Sequence, residues 1–276
     1  MSEERRNRLL YGAGVLATAV FCLVPVVYMV LTAASGRPDF LAPGVEFSPT
    51  LAHFRDLLGT ESLRFPAYLR NSLIVSGASS LLCIAVASPA AYAITRFSLP
   101  GRMTILFLVL AVSMFPQISL VSYLFRVMGD LGWINTLPAL ILPYTAWTLP
   151  LSLWILTSYF SRVPKDLDRA ARVDGCGQLG VLLRVVLPVA APGIFSTGIL
   201  AFLFAFNEFL FALLLTTDHQ ARTIPVGIAL FQGLHGEIPW GTVMAAATLS
   251  TVPVVVLTLL FQRRIIQGLT RGAVKG

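Results

Sequence analysis

The stretch DRAARVDGCGQLGVLLRVVLP, residues 168–188, contains a glycine pattern on which the interpretation of the whole chain depends. Its three glycines match G-x-G-x-x-G, the spacing of dinucleotide-binding loops: Gly175, Gly177 and Gly180. Such a loop follows a β-strand, opens a helix and precedes, by about 20 residues, an acid that binds the ribose. Here a helical pattern precedes the glycines, and the next acid after Asp174 is Glu208. The context therefore argues against a dinucleotide site and against an oxidoreductase.

The residues around these glycines predict two short helices that meet at an elbow. Residues 165–173 follow a proline and place apolar and charged side chains on opposite faces at helical spacing. The glycines permit a sharp turn, and residues 179–187 form a second apolar segment that we expect Pro188 to end. A pair of helices with a small-residue surface indicates a docking element for another protein. A plain solvated connector would need neither helix.

The composition of the chain is that of a membrane protein. It has 276 residues, of which 56% are hydrophobic and 12% charged, and its mean hydropathy is +0.80. Soluble domains have about 25% charged residues. A bilayer core about 30 Å thick requires roughly 20 apolar residues per helix. We predict an all-α integral membrane protein, a single domain over 1–276, with six spans at 9–31, 72–95, 103–125, 137–159, 193–216 and 241–261.

The positions of the basic residues predict the orientation of these spans. The formal net charge is +7, which by itself would also suit a nucleic-acid-binding protein. However, 14 of the 20 Lys and Arg residues lie in the terminal and loop segments on the side of the N-terminus. Basic residues in short loops are retained in the cytoplasm. We therefore predict that both termini are cytoplasmic, that the elbow lies in a cytoplasmic loop at 161–190, and that nucleic acid is not a partner.

The elbow carries a recognisable motif. Ala170-Ala171, Gly175 and the run Val185-Val-Leu-Pro188 follow the spacing E-A-A, three residues, G, nine residues, I-x-L-P. In this respect the chain resembles the membrane subunits of binding-protein-dependent ATP-binding-cassette (ABC) importers. The stretches MFPQISLV (114–121), AFNEFLFALLLT (205–216) and GLTRGAVKG (268–276) are similar to the carbohydrate-uptake branch, and specifically to MalG-like permeases.

The resemblance implies a fold and a set of partners. It implies the type I ABC importer (MetI-like) permease fold in the bacterial cytoplasmic membrane, with the loop between spans four and five forming a coupling helix. It implies a transport subunit and not an enzyme: half of a heterodimeric pore with a MalF-like permease. ATP and Mg would bind to a separate MalK-like dimer, so we expect no cofactor in this chain. An extracytoplasmic solute-binding protein would deliver a carbohydrate of the maltose or trehalose type and contact the external loops at 33–70 and 217–239.

The same resemblance assigns a set of residues to coupling with the ATPase: Asp168, Arg169, Ala170, Ala171, Asp174, Gly175, Val185, Leu187 and Pro188. Arg169 departs from the family pattern, because it stands where the motif has an acid. Two hypotheses follow for the salt bridge to the ATPase. It is rebuilt through Asp168, or its sign is reversed on the partner.

Polar residues within the spans are candidates for the translocation path or its gate. Glu208 is the acid deepest in a predicted span, and Asn207 precedes it; Gln117 follows a proline in span three. A charged side chain in a bilayer is costly and faces the protein interior or a wet cavity. Glu208 would line the sugar path or its gate, or it would make an interhelical hydrogen bond that holds the heterodimer together. The alternative function is a proton-coupled secondary transporter that uses Glu208, but this alternative leaves the elbow unexplained.

Other residue types carry no chemistry at this stage. The three cysteines do not form a paired framework, and His53, His219 and His235 lack the spacing of metal ligands. We expect no metal site. Five phenylalanines of span five surround its helix, which is typical of packing more than of a sugar-stacking surface.

Overall fold

The computed structural model describes residues 3–37, 48–59, 63–231 and 238–273. Within these ranges the chain is helical, and its extended pairing is one isolated antiparallel bridge between Ser35 and Pro49. The first seven helices are α1 (Glu3–Ala33), α2 (Ala52–Gly59), α3 (Phe65–Arg96), α4 (Arg102–Ser113), α5 (Gln117–Asp130), α6 (Leu137–Phe160) and α7 (Lys165–Val173). They are followed by α8 (Gln178–Val181), a π-helical turn (Leu182–Val186), α9 (Leu187–Val189), α10 (Ala191–Phe206), α11 (Leu210–Leu215), α12 (Ile224–Ala229) and α13 (Trp240–Ala273).

Among the described residues, four helical segments are long and apolar enough to cross a membrane without interruption: Leu10–Ala33, Phe65–Arg96, Leu137–Phe160 and Trp240–Gln262. They correspond to predicted spans one, two, four and six. Two further helix pairs qualify if each bent pair is one span, which gives up to six. An α-helix satisfies its own backbone hydrogen bonds, and for this reason it is a stable way to cross hydrocarbon.

Predicted span three is not one straight helix. The structure divides 103–125 into α4 and α5, whose axes differ by 84°. Pro116 occupies the position just before α5 with an extended backbone, φ −63° and ψ 121°. Proline has no N–H to donate and disfavours the helical conformation in the residue before it, so the helix ends and restarts here.

The end that we predicted for the second elbow helix is wrong. The helix does not stop at Pro188 but continues to Val189, after which the chain bends by 82° at Ala190. A π-helical turn, Leu182–Val186, comes just before the proline. Such a turn widens the helix just before Pro188. Proline has no N–H, so Pro188 donates no hydrogen bond to the preceding turn.

The chain divides into two compact units. The smaller unit comprises Met1–Pro66 and Gly227–Val252, and it contains α2. Here the Nε2 atom of His53 donates to the Ser35 carbonyl at 3.1 Å. Any side chain at Gly241 would meet the His53 imidazole, so a glycine allows the start of α13 to approach this ring.

The larger unit comprises Ala67–Val226 and Pro253–Gly276. In it α6 packs against both α10 and α4. Gly193 near the start of α10 lies directly against the ring of Tyr159, where a larger residue would not fit. One hydrophobic cluster joins the ends of α3 and α6 to the elbow helices; its members include Ala91, Leu156, Phe160, Ala171, Val181 and Val186. The elbow is therefore packed onto the ends of the spans.

The predicted external loops are described in part. Residues 38–47, 60–62 and 232–237, including His235, lie outside the described residues. The described segment after span five is held at the start of α3. The Asn71 amide Nδ2 donates to the carbonyls of Gln220 and Arg222 at 2.9 and 3.0 Å, and the Ile224 N–H donates to Ser72 Oγ at 2.8 Å.

Candidate functional site

The first candidate site is the α7 elbow, by which we mean residues 164–181. Pro164 precedes α7, Asp166 and Asp168 lie in its first turn, and Arg172 lies in its last. Acids near the N-terminus and a base near the C-terminus complement the helix dipole, so this short helix has charges where they stabilise it.

Gly175 turns the chain out of α7 in a left-handed conformation, with φ +83°. The Cys176 N–H donates to the Ala171 carbonyl at 2.9 Å, and the Gly175 N–H donates to the Arg172 carbonyl at 3.0 Å. This pair of bonds is a Schellman motif, which places its left-handed residue where glycine is favoured. The predicted turn is therefore observed, and backbone conformation explains why the motif has glycine at 175. Gly177, with φ −70°, carries no such requirement.

The predicted coupling residues divide into exposed and buried sets. The exposed set is Arg169, Ala170, Asp174, Gly175 and Pro188. Asp168 and Ala171 are buried, and Val185 and Leu187 pack against the hydrophobic cluster beneath the elbow. The sequence analysis did not single out Val173 and Leu179, which are both exposed, Val173 to 87%. The signal in the sequence was an apolar residue within a few positions of the motif glycine on either side.

The structure places Asp168 in an internal ion pair. Its Oδ2 atom lies 2.7 Å from Nε of Arg96, and the two side chains are only 7% and 3% exposed. The Nη2 atom of Arg96 also donates to the Val163 carbonyl at 3.0 Å. The hypothesis that Asp168 provides a replacement salt bridge to the ATPase is therefore wrong for this conformation, because its carboxylate is buried against Arg96.

Arg169 lies on the opposite, exposed face of α7. Its Nη1 atom is 3.0 Å from Oδ1 of Asp166, with side chains 79% and 84% exposed. Exposed pairs of this kind contribute little stability, about 0–1 kcal/mol. The guanidinium of Arg169 is therefore accessible to another protein at the position where the family motif has an acid.

The second candidate site is a cavity of about 710 Å³, here called the polar cavity. It is lined by the three residues predicted for the path or gate, Gln117, Asn207 and Glu208. They meet because both predicted spans are interrupted: α5 begins at Gln117, and α10 ends at Phe206. Glu208 lies in the break between α10 and α11.

Glu208 stabilises the start of α11. Its Oε1 atom accepts from the Phe211 N–H at 2.9 Å and its Oε2 atom from the Ala212 N–H at 3.3 Å. The first N–H groups of a helix have no partner within the helix. These two bonds are local to the break between α10 and α11.

Aromatic side chains form much of the polar cavity's wall. The phenylalanines of span five separate into a buried group, Phe202, Phe206 and Phe211, and two that line the cavity, Phe204 and Phe209. Tyr144 and Trp147 of α6 complete this wall and were not predicted. Only the packing of α6 against α10 brings them to the site, so no local sequence signal identified them.

Comparison with known proteins agrees with this architecture. Residues 83–271 match the family described as "Binding-protein-dependent transport system inner membrane component". The chain is 53% identical to the trehalose/maltose transport system permease protein MalG of Thermococcus litoralis, with 100% of both chains covered. It is 38% identical to the trehalose transport system permease protein SugB of Mycobacterium tuberculosis, over 98% of this chain and 99% of SugB.

The fold is also that of a solved importer. The structure aligns with a chain of a bacterial ABC transporter involved in import of the acidic polysaccharide alginate, with a TM-score of 0.78. The alignment covers 95% of this chain and 98% of the other at 19% identity. The predicted fold class is confirmed, and the secondary-transporter alternative has no support. The chain belongs to the binding-protein-dependent inner membrane components, the permease subunits of ABC importers, which are transport components and not enzymes.

Proposed function

We propose that this chain forms half of a heterodimeric pore that imports a disaccharide of the trehalose or maltose type. A second, MalF-like permease supplies the other half, and a separate MalK-like pair of subunits hydrolyses ATP. An extracytoplasmic binding protein delivers the sugar. The relatives named above support the substrate class, and the polar cavity is the structural observation that carries the proposal.

The chemistry of the polar cavity suits a sugar. Carbohydrate hydroxyls need polar partners at fixed positions, and ligand cavities combine a few such groups with aromatic walls. Gln117 and Asn207 offer amide groups, and Tyr144 and Trp147 offer ring faces in the same cavity. Glu208 also lines the cavity, while its oxygens accept hydrogen bonds from the first turn of α11. This chain thus supplies one wall of the path.

The α7 elbow is proposed as the contact with the ATPase. Its exposed face presents Ala170, Val173 and Leu179, which form an apolar surface of small and medium side chains. Arg169 adds a positive charge at the position of the motif acid. Since Asp168 is paired internally with Arg96, we favour a coupling interface of reversed sign, in which the ATPase contributes an acid to Arg169.

The test is uptake by the assembled complex in proteoliposomes. Labelled trehalose or maltose should accumulate only with both ATP and the binding protein present. The substitution Gln117→Ala removes one sugar hydrogen bond and should raise the KM for uptake about five-fold. Ser122→Ala, an exposed residue of the same helix outside the cavity, is the matched control.

Two results would count against the proposal. An unchanged KM in Gln117→Ala would remove the polar cavity from the path. Uptake by this chain alone, driven by a proton gradient without ATP, would replace the importer with a secondary transporter.

A further inference from the structure

A second cavity, of about 410 Å³, lies where α3, α4, α6 and α7 meet, beside the α7 elbow. We call it the basic cavity, since it is lined by the last residue of α3, Arg96, the first residue of α4, Arg102, and the first residue of α7, Lys165. None of its lining residues lines the polar cavity. The proposed transport function does not use it.

The basic cavity has an uncompensated positive charge. Arg96 is neutralised by Asp168, and the other acid of the α7 first turn, Asp166, pairs with Arg169. In the part of the chain that the structure describes, Arg102 and Lys165 form no ion pair, and no carboxylate lines the cavity. Two cationic side chains therefore face this space without a counter-charge.

Hydrogen-bonding groups of the basic cavity also lack partners. The Thr157 hydroxyl oxygen is buried, and no hydrogen-bond partner lies within reach among the described residues. Thr157 lines the cavity together with Arg102, the first residue of α4. The N-terminus of α4 has no side-chain cap. Uncapped helix N-termini favour anions, because their N–H groups and dipole are positive. An oxygen-rich anion would complement these groups and the two cations together.

Part of the remaining wall of the basic cavity is apolar, and this part continues along the span. Met103, Leu106 and Trp154 form this wall. Phe107 follows Leu106 on α4, and its ring lies 6.0 Å from the ring of Trp154, measured between centroids. Met103 and Phe107 are both exposed. The cations thus lie at the helix ends, and an apolar surface extends from them into the span.

We propose that the basic cavity binds an anionic phospholipid of the membrane. The phosphate lies between Arg102 and Lys165 and accepts a hydrogen bond from Thr157, and one acyl chain lies against Met103 and Phe107. Basic cavities between spans on the cytoplasmic side suit lipid headgroups. An acidic segment of a partner protein would satisfy the charges, but it would leave the apolar extension along α4 uncovered.

The experiment uses the whole complex in nanodiscs of equal parts phosphatidylglycerol and phosphatidylcholine. Native mass spectrometry then counts the phosphatidylglycerol molecules that the released complex retains. The double variant Arg102→Gln/Lys165→Gln should retain one molecule fewer than the wild type and bind phosphatidylglycerol about 30-fold more weakly in a titration. Both residues are exposed, so folding should not suffer. The isosteric Thr157→Val should give a smaller loss of a few-fold.

Arg184→Gln is the matched control, because it removes an exposed arginine of the same loop that does not line the basic cavity. It should retain the wild-type number of phosphatidylglycerol molecules. Equal retention by the wild type and the double variant would overturn the proposal. So would displacement of the lipid by excess inorganic phosphate, which would identify a site for free phosphate. Dissociation of the complex in the double variant, with lipid retention unchanged, would assign the two cations to a partner protein.

Discussion

At the scale of single residues, Gly175 determines the direction that the chain takes out of α7. Its φ of +83° is a conformation that residues with a Cβ atom adopt at a cost of about 1–2 kcal/mol. There is open space around the position where its Cβ would be. The requirement for glycine at 175 therefore comes from the backbone, and contacts do not impose it.

Replacing Gly175 should impair coupling without preventing folding. We expect Gly175→Ala to strain the elbow by about 1 kcal/mol and to lower sugar-stimulated ATP hydrolysis in the reconstituted complex. Gly175→Asn should be milder, since asparagine tolerates the left-handed region. Gly177→Ala is the control, because Gly177 also has open space around it but a φ of −70°. Equal effects at 175 and 177 would show that the left-handed turn is not the cause.

Glu208 joins two roles in one side chain, since it lines the polar cavity and caps α11. Glu208→Ala should lower the free energy of unfolding of the purified complex by about 1 kcal/mol, the usual cost of a lost helix cap. Glu208→Gln should lose less, because its amide oxygen still accepts one N–H. Thermal unfolding measured beside the KM for uptake separates the two roles. A variant that keeps its stability but has a raised KM indicates a sugar contact.

The control for Glu208 is its neighbour. Asn207 is exposed, and its Nδ2 atom donates to the Leu203 carbonyl at 2.8 Å. Asn207→Ala should leave the unfolding temperature almost unchanged. A drop as large as that of Glu208→Ala would mean that the helix break, and not the cap, is sensitive to substitution.

At the scale of elements, both charged and apolar contacts attach α7 to the rest of its unit. The Arg96–Asp168 pair ties it to the end of α3, and Ala171 joins the hydrophobic cluster beneath it. Motif residues Val185 and Leu187 pack against the same cluster. Four of the nine predicted coupling residues therefore hold the elbow in place, while the other five are exposed.

Breaking the buried pair should loosen α7. Removal of one partner from a buried ion pair leaves an uncompensated charge and typically costs about 3 kcal/mol or more. We expect Asp168→Asn and Arg96→Gln each to lower the free energy of unfolding by about this amount and to reduce coupled ATP hydrolysis. The double variant Arg96→Met/Asp168→Leu, which removes both charges, should be less destabilised than either single variant.

The exposed pair of the same helix is the control for this experiment. Asp166→Asn removes the partner of Arg169, where both side chains are largely exposed, and should change stability by less than about 0.5 kcal/mol. If Asp166→Asn and Asp168→Asn destabilise the complex equally, burial does not distinguish the two pairs.

At the scale of the whole molecule, the two candidate sites and the basic cavity occupy distinct places along the spans of the larger unit. The polar cavity lies at the breaks in predicted spans three and five, while the elbow and basic cavity lie at helix ends. The positive-inside pattern predicts that these helix ends are cytoplasmic. This orientation would place the elbow on the side of the membrane where ATP is available.

Cysteine labelling tests this orientation. In a variant without the three native cysteines, Arg172→Cys on α7 should react with a membrane-impermeant maleimide only in inverted vesicles. Arg126→Cys on α5 should react only from the outside. Both positions are exposed. Labelling of the two positions from the same side would contradict the arrangement of six spans with both termini in the cytoplasm.

Local features of the sequence were enough to predict several elements correctly. The four uninterrupted spans follow from apolar runs of the required length, because a bilayer imposes that length on any helix that crosses it. The elbow turn follows from Gly175, because the left-handed conformation is a property of one residue. The bend of 84° in span three, just before α5, was not predicted, because prolines also lie inside the unbroken helices α1, α3, α6 and α13.

By itself, then, the sequence determined the membrane class, the positions of the long helices, the glycine turn and the family. These depend on composition, spacing and backbone preference within short windows. Only the tertiary structure decided that Asp168 pairs with Arg96, and that Gln117 shares a cavity with Asn207 and Glu208. These contacts join residues far apart in the chain. They arise from the packing of whole helices, which no short stretch of sequence specifies.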